Sequence, residues 1–157
     1  MARKSGIIGG ILGFMLALIA KIPIYQNLIF SLNIYKFNTT EFYLWGIVLG
    51  NGESYSIVSL SFPENLITLA FWLILVFISL SSIFASPKKS TKNNSLKLYN
   101  INISLISILM IIYAIQLIIT NLTNLMAIFI NIGGGYYLLA LILILNFMAK
   151  SSLKKEE

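Results

Sequence analysis

The sequence contains no cysteine, no histidine and no aspartate, and only 10% of its 157 residues are charged. Without cysteine there can be no disulfide, thiol redox chemistry or thiolate metal ligand. Without histidine the commonest general base and the usual haem, zinc and copper ligands are missing. We therefore expect no enzymatic activity, no metal and no cofactor.

Apolar residues dominate instead, at 58% of the chain. Four apolar runs cover about 6–25, 66–85, 98–119 and 125–149. Each is close to or above the ~20 residues that a helix needs to cross ~30 Å of hydrocarbon. A soluble domain of this length could not cover its surface with so few charges. The sequence predicts one all-α integral membrane domain, a four-helix transmembrane bundle.

The basic residues fall on one side of this arrangement. Nine belong to the segments before the first run, between the second and third, and after the fourth: Arg3, Lys4, Lys88, Lys89, Lys92, Lys97, Lys150, Lys154 and Lys155. Only Lys21 and Lys36 lie on the other side. Short cytoplasmic segments are enriched in Lys and Arg, which predicts a cell-membrane protein with both termini in the cytoplasm.

The net charge of +6 is therefore a signal of topology. Nucleic-acid binding would require the basic residues on one folded face, so we expect no nucleic-acid partner. The basic residues Lys88, Lys89, Lys92 and Lys97 are expected to contact anionic lipid headgroups.

The segment 26–65 has a different pattern. Residues 42–49 and 55–62 are rich in aromatic and β-branched side chains, and Gly50-Asn51-Gly52-Glu53 separates them. Asn-Gly between two such runs is a strong hairpin signal, and Asn38-Thr39-Thr40 is a second candidate turn. Pro63 suits the start of the next helix. We predict a small extracellular antiparallel sheet of about three strands between helices 1 and 2.

Such a sheet is marginally stable alone, so its apolar face must rest on helix ends, on the membrane interface or on another protein. The candidate anchors of an outer contact surface are the aromatic residues Tyr35, Phe42, Tyr43, Trp45 and Tyr55.

Glycines mark close helix packing. In the first run Gly6 pairs with Gly10, and Gly9 with Gly13, at the small-xxx-small spacing that lets another helix approach. Packing within the chain is favoured over self-association, because four helices already supply partners. The triplet Gly133, Gly134 and Gly135 in the fourth run predicts a packing notch, or alternatively a bend or hinge.

Polar groups within the runs are few. No Glu, Lys or Arg lies in the middle of any run, which argues against an ion-coupled transporter. Gln116 and Asn131 lie near the same end of adjacent runs, where we expect a hydrogen bond between helices.

The layout resembles the claudin and peripheral myelin protein group of four-span membrane proteins. Leu44-Trp45-Gly46 stands where that group carries a Trp-containing signature, although the residue order differs and the paired cysteines of the group are missing. The resemblance implies lateral assembly through the outer sheet.

Two functions follow as hypotheses. The first is a non-catalytic membrane protein that acts by contact, as an accessory or assembly subunit bound to other membrane proteins or to itself. The alternative is a passive channel or carrier at an oligomer interface, with Asn131 and the glycine triplet lining the path.

Overall fold

The computed structural model describes residues 4–25, 28–51, 54–57, 62–87 and 91–154. Their helices are α1 (Lys4–Leu18), α2 (Glu64–Ala85), α3 (Lys92–Thr120), α4 (Ala127–Asn131) and α5 (Gly134–Lys154). Their strands are β1 (Lys21–Tyr25), β2 (Leu28–Ser31), β3 (Tyr35–Phe37), β4 (Thr40–Tyr43), β5 (Gly46–Asn51) and β6 (Ser54–Ile57). The protein is mostly helical, with two small antiparallel sheets.

The four longer helices enclose a main apolar core and a smaller cluster of buried residues around Tyr99. Helix α1 packs against α2 and α5, and α3 packs against the same two helices on the other side. Seven aliphatic side chains of the main core are at most 2% exposed, namely Leu16, Leu75, Ile78, Ile106, Leu109, Leu139 and Ile142. Within the described residues, α2, α3 and α5 are long and apolar enough to cross a membrane, whereas α1 is shorter at 15 residues.

The two ends of the helix assembly differ in character. At one end, here the sheet end, the strands lie against the end of α1 and the beginning of α5. The opposite end, here the lysine end, carries Lys4 at the start of α1, Lys92 and Lys97 near the start of α3, and Lys150 and Lys154 near the end of α5. Lys88 and Lys89 lie outside the described residues.

The first apolar run is helical over only part of its length. Helix α1 ends at Leu18, and residues 21–25 form strand β1, which pairs with β2. The sequence predicted one membrane segment over 6–25 and missed this change. The overlooked signals were Pro23, which lacks a backbone N–H donor, and its neighbours, which favour extended structure. The indole nitrogen of Trp72 donates to the carbonyl oxygen of Ala17 at 3.1 Å, satisfying one acceptor that the helix end leaves free.

The second sheet has four strands where the sequence predicted about three, in the order β3-β4-β5-β6. The predicted turn at Asn38-Thr39 is present, with Asn38 at φ 53°. The aromatic run over 42–49 is split by a further turn at Leu44-Trp45, because Leu44 is buried in the core. Strands β5 and β6 pair antiparallel as predicted, with Asn51 opposite Ser54.

An ion pair links the two sheets. Lys21 of β1 lies 3.4 Å from the carboxylate of Glu41 in β4. The Tyr43 hydroxyl donates to the same carboxylate at 2.7 Å and lies 2.9 Å from the Ser31 hydroxyl. These contacts bring the two-stranded sheet and the four-stranded sheet together at the sheet end.

The fourth apolar run is interrupted, and the glycine triplet lies where α5 begins. The backbone N–H groups of Gly133 and Gly135 donate to the carbonyl oxygens of Ile34 and Asn33 at 2.9 and 2.8 Å. A Cβ atom on any of the three glycines would overlap the backbone oxygens of residues 31–33. The triplet is therefore a packing notch, and the chain that fills it is the segment after β2.

The glycines of α1 also pack within the chain. A Cβ on Gly6, Gly10 or Gly13 would meet α2 or α3 side chains, whereas one on Gly9 would only touch α5. At Gly10 the obstacles include the Ser79 carbonyl oxygen at 2.6 Å, which belongs to the backbone of α2.

This difference predicts opposite outcomes for two alanine substitutions in one helix. Gly10→Ala forces α1 away from α2 and should cost about 1–3 kcal/mol, the usual range for overpacking. Gly9→Ala meets its nearest atoms at 3.4 Å and should be neutral or slightly stabilising, because alanine favours helix. Thermal unfolding of the two purified variants in detergent tests the pair. Equal melting temperatures would contradict the α1–α2 packing.

Candidate functional site at the sheet end

Four aromatic rings form a continuous row where the four-stranded sheet meets the helices. Phe42 stacks on Tyr35 with centroids 4.2 Å apart, Tyr35 lies 6.4 Å from Tyr113, and Tyr113 meets Phe71 edge-on at 5.7 Å. We call these four residues the aromatic wall. It joins β3 and β4 to α2 and α3.

A groove of about 210 Å³ opens in front of the aromatic wall. Its other lining residues are Tyr43, Glu64, Ile67, Thr68 and Gln116. We call it the aromatic groove. It combines ring surfaces with one carboxylate, one carboxamide and one aliphatic hydroxyl, and it is lined by the first two turns of α2, by α3 and by the sheet.

Tyr35 is the buried centre of the aromatic wall. Burial raises the pKa of its hydroxyl to about 12, and a side-chain hydrogen bond with Gln116 acts in the opposite direction. The phenol therefore stays neutral at physiological pH. Gln116 was predicted to pair with Asn131, but the Asn131 side chain instead donates to the Asn121 oxygen at 2.8 Å.

A second groove of about 370 Å³ continues along α2. It is lined by Trp45, Asn65, Leu66, Thr68, Leu69 and Trp72, and Thr68 is common to both grooves. We call it the tryptophan groove. Trp45 stacks on Tyr43 with ring centroids 4.9 Å apart, which fixes its position on the sheet.

A separate apolar surface lies around α4. Five side chains there are 57–76% exposed, namely Leu122, Leu125, Met126, Phe129 and Ile130. We call them the α4 patch. The neighbouring cleft is lined in part by polar side chains, among them Lys36, Asn38 and Asn124. The α4 patch is thus an apolar surface beside a polar one.

Nearer the lysine end, polar side chains meet in the helix core. The Ser81 hydroxyl donates to the Asn102 side-chain oxygen at 2.6 Å, and Ser82 donates to the Asn146 oxygen at 2.8 Å. The Asn102 amide donates to Ser82 at 2.9 Å and to Asn146 at 3.2 Å. We call these four residues the polar layer. They are buried and satisfy one another, as a structural network does.

The predicted contact anchors have different surroundings. Tyr35 and Tyr43 are buried within the chain's own core. Phe42 and Trp45 are half-buried and line the grooves. The side chain of Tyr55 lies outside the described residues. Lys92 and Lys97 lie in the first two turns of α3 at the lysine end.

Some residues proposed for a conduction path have internal partners. Asn131 is bonded to Asn121, and the glycine triplet is covered by residues 30–33. Among the described residues, no three His, Cys, Asp or Glu side chains cluster as metal ligands would.

Sequence reasoning missed two features of the site. Glu64, Phe71 and Tyr113 were not predicted to lie beside the sheet. The hydroxyl of Tyr113 in the middle of an apolar run was the feature that could have indicated it. In the polar layer, no residue had been predicted to pair with another. Serines at 79, 82 and 86 recur on one helix face of an apolar run, which is typical of a polar helix contact.

Comparison with known proteins gives no match. No family model, no curated protein and no solved structure aligns with this chain. The resemblance to claudins thus stays a prediction.

The polar layer yields a test with a control on the same helix. Asn102→Ala removes the hydrogen bonds that the Asn102 carboxamide makes with Ser81, Ser82 and Asn146 and should lower the free energy of unfolding by about 1–2 kcal/mol. Asn100→Ala changes the same residue type at an exposed position and should have little effect. Denaturant unfolding in detergent measures both. Similar losses would mean that the polar layer does not stabilise the fold.

Proposed function

We propose that the chain is a non-catalytic membrane protein whose helices α1, α2, α3 and α5 all cross the bilayer, and that it acts by binding other membrane subunits or further copies of itself. Length and hydropathy support this for α2, α3 and α5. Helix α1 extends only ~22 Å at ~1.5 Å per residue. Because α1 packs along both α2 and α5, we propose that it lies in the bilayer beside them.

The lysine distribution supports an orientation. The lysine end carries five described lysines, and the sheet end carries Lys21 and Lys36, of which Lys21 is ion-paired. With the lysine end in the cytoplasm, the sheets and the α4 patch lie outside the cell membrane.

The α4 patch carries the proposal of partner binding. Counting ~20 residues of hydrocarbon thickness from Lys97 reaches Leu117, so residues 122–130 lie at or beyond the membrane boundary. Lipid tails therefore do not account for the exposure of Phe129 and Met126, at 75% and 76%. Exposed apolar clusters with polar surroundings are typical of protein interfaces.

Two features favour a role in protein binding over a catalytic role. The polar layer is occupied with internal hydrogen bonds, and the helix core around Ile78 and Leu139 is filled with aliphatic side chains. Lateral assembly of the kind found in claudins is one form of this proposal. It would place the α4 patch between neighbouring chains.

Site-specific crosslinking tests the proposal. A photoreactive phenylalanine analogue at Phe129, in the full chain in its native membrane, should give a protein adduct of one defined mass, because the patch is covered by a partner. The same analogue at Phe84 is the control: that side chain is 67% exposed and lies near the lysine end of α2. It should crosslink to lipid.

Phe129→Ser should then remove the corresponding complex in mild detergent, whereas Phe84→Ser should keep it. Lipid adducts alone at both positions, together with a monomer in detergent, would refute the contact function.

A further inference from the structure

The chemistry of the aromatic groove is complementary to a cation. The rings of Phe42, Phe71 and Tyr113 line it together with the carboxylate of Glu64, and no basic side chain lines it among the described residues. Ammonium groups bind over ring faces within about 6 Å of the centroid, most strongly where water is excluded. A nearby carboxylate adds direct attraction.

The size of this groove restricts the ligand. Its volume of about 210 Å³ is below the roughly 300–1,000 Å³ of clefts that enclose whole drug-sized molecules. An ammonium headgroup fits such a space, and the rest of the molecule must leave it along the surface.

The tryptophan groove supplies that path. It meets the aromatic groove at Thr68 and continues past Leu66, Leu69 and Trp72. Glu64 and Trp72 are eight residues apart on α2, about 12 Å along the helix axis. Asn65 follows Glu64 on α2 and lines the tryptophan groove, and its carboxamide can donate to a phosphate oxygen.

The expected depth of the two grooves in the membrane agrees with a lipid bound along them. Glu64 is the first residue of α2, where a spanning helix reaches the headgroup region. Trp45 lies on the sheet beside that boundary, as interfacial tryptophans commonly do, whereas Trp72 lies deeper along α2. A polar head at Glu64 and an apolar chain toward Trp72 therefore match the direction of a lipid in the leaflet on the sheet side.

We propose that the two grooves together bind one membrane lipid with a quaternary ammonium headgroup, the headgroup against the aromatic wall and Glu64, and one acyl chain along the tryptophan groove. The inference requires the chain to lie in a bilayer, but it does not require the partner at the α4 patch.

The chain contains its own probe for this lipid. Its two tryptophans are Trp45 and Trp72, and both line the proposed acyl-chain path. Brominated acyl chains quench tryptophan on contact. The full-length chain is reconstituted in vesicles that contain equal mole fractions of either dibrominated phosphatidylcholine or dibrominated phosphatidylglycerol with the same chains. We expect phosphatidylcholine to occupy the site about fivefold more strongly, the scale of a cation–π contact that is still accessible to water.

Two variants test the headgroup contacts, and one serves as control. Glu64→Gln removes the charge and Phe42→Leu removes a ring face while keeping an apolar side chain, so each should reduce the lipid preference to less than twofold. Phe37→Leu makes the same exchange in the same sheet at a residue away from the groove and should keep the preference. The two variants act independently, so either one still decides the question if the other does not fold.

Three outcomes would overturn the proposal. One is equal quenching by the two lipids in the unmodified chain. Another is a preference that survives Glu64→Gln and Phe42→Leu in folded protein. The third is reversal of quenching by submillimolar tetramethylammonium, which would make the ligand a soluble amine. Crosslinking at Phe129 reports separately on the partner contact, so either proposal can fail alone.

Discussion

The contact between the glycine triplet and the segment after β2 is the constraint on which the sheet end depends. Carbonyl oxygens of residues 31–33 occupy the space where side chains would stand on Gly133, Gly134 and Gly135. Hydrogen bonds from the N–H groups of Gly133 and Gly135 then fix how closely this segment approaches the start of α5. Because Tyr35 follows directly, its ring is held between Phe42 and Tyr113, and the aromatic wall forms.

A different kind of contact holds the lysine end. There Gly6 and Gly10 allow α1 to approach α2 and α3 closely, and the polar layer joins α2, α3 and α5 by side-chain hydrogen bonds. In a bilayer the apolar effect between helices is small, so close packing and such bonds provide the specificity. The two ends therefore differ: contacts at the lysine end order the helices, and contacts at the sheet end position the grooves and the exposed α4 patch.

Much of the fold could be predicted from local pattern. Helices α2, α3 and α5 follow from long apolar runs, and the turn at Asn38 follows from a residue that tolerates positive φ. The end of α1 was missed because the apolar run continues past it, although Lys21 and Pro23 mark the change to extended structure. The pairing of β1 with β2 joins neighbouring segments of the chain, and a backbone hydrogen bond from Leu32 to Ala20 extends it.

The sequence by itself determined that the chain is apolar, asymmetric in its lysines and poor in catalytic groups, since composition and spacing are local properties. Only the tertiary structure decided which polar groups meet: Gln116 with Tyr35, Asn131 with Asn121, and Glu64 with the aromatic wall. These pairs join residues from different elements, and their partners depend on the rotation of each helix about its axis. Hydrophobic periodicity does not fix that rotation when a helix is apolar on every face.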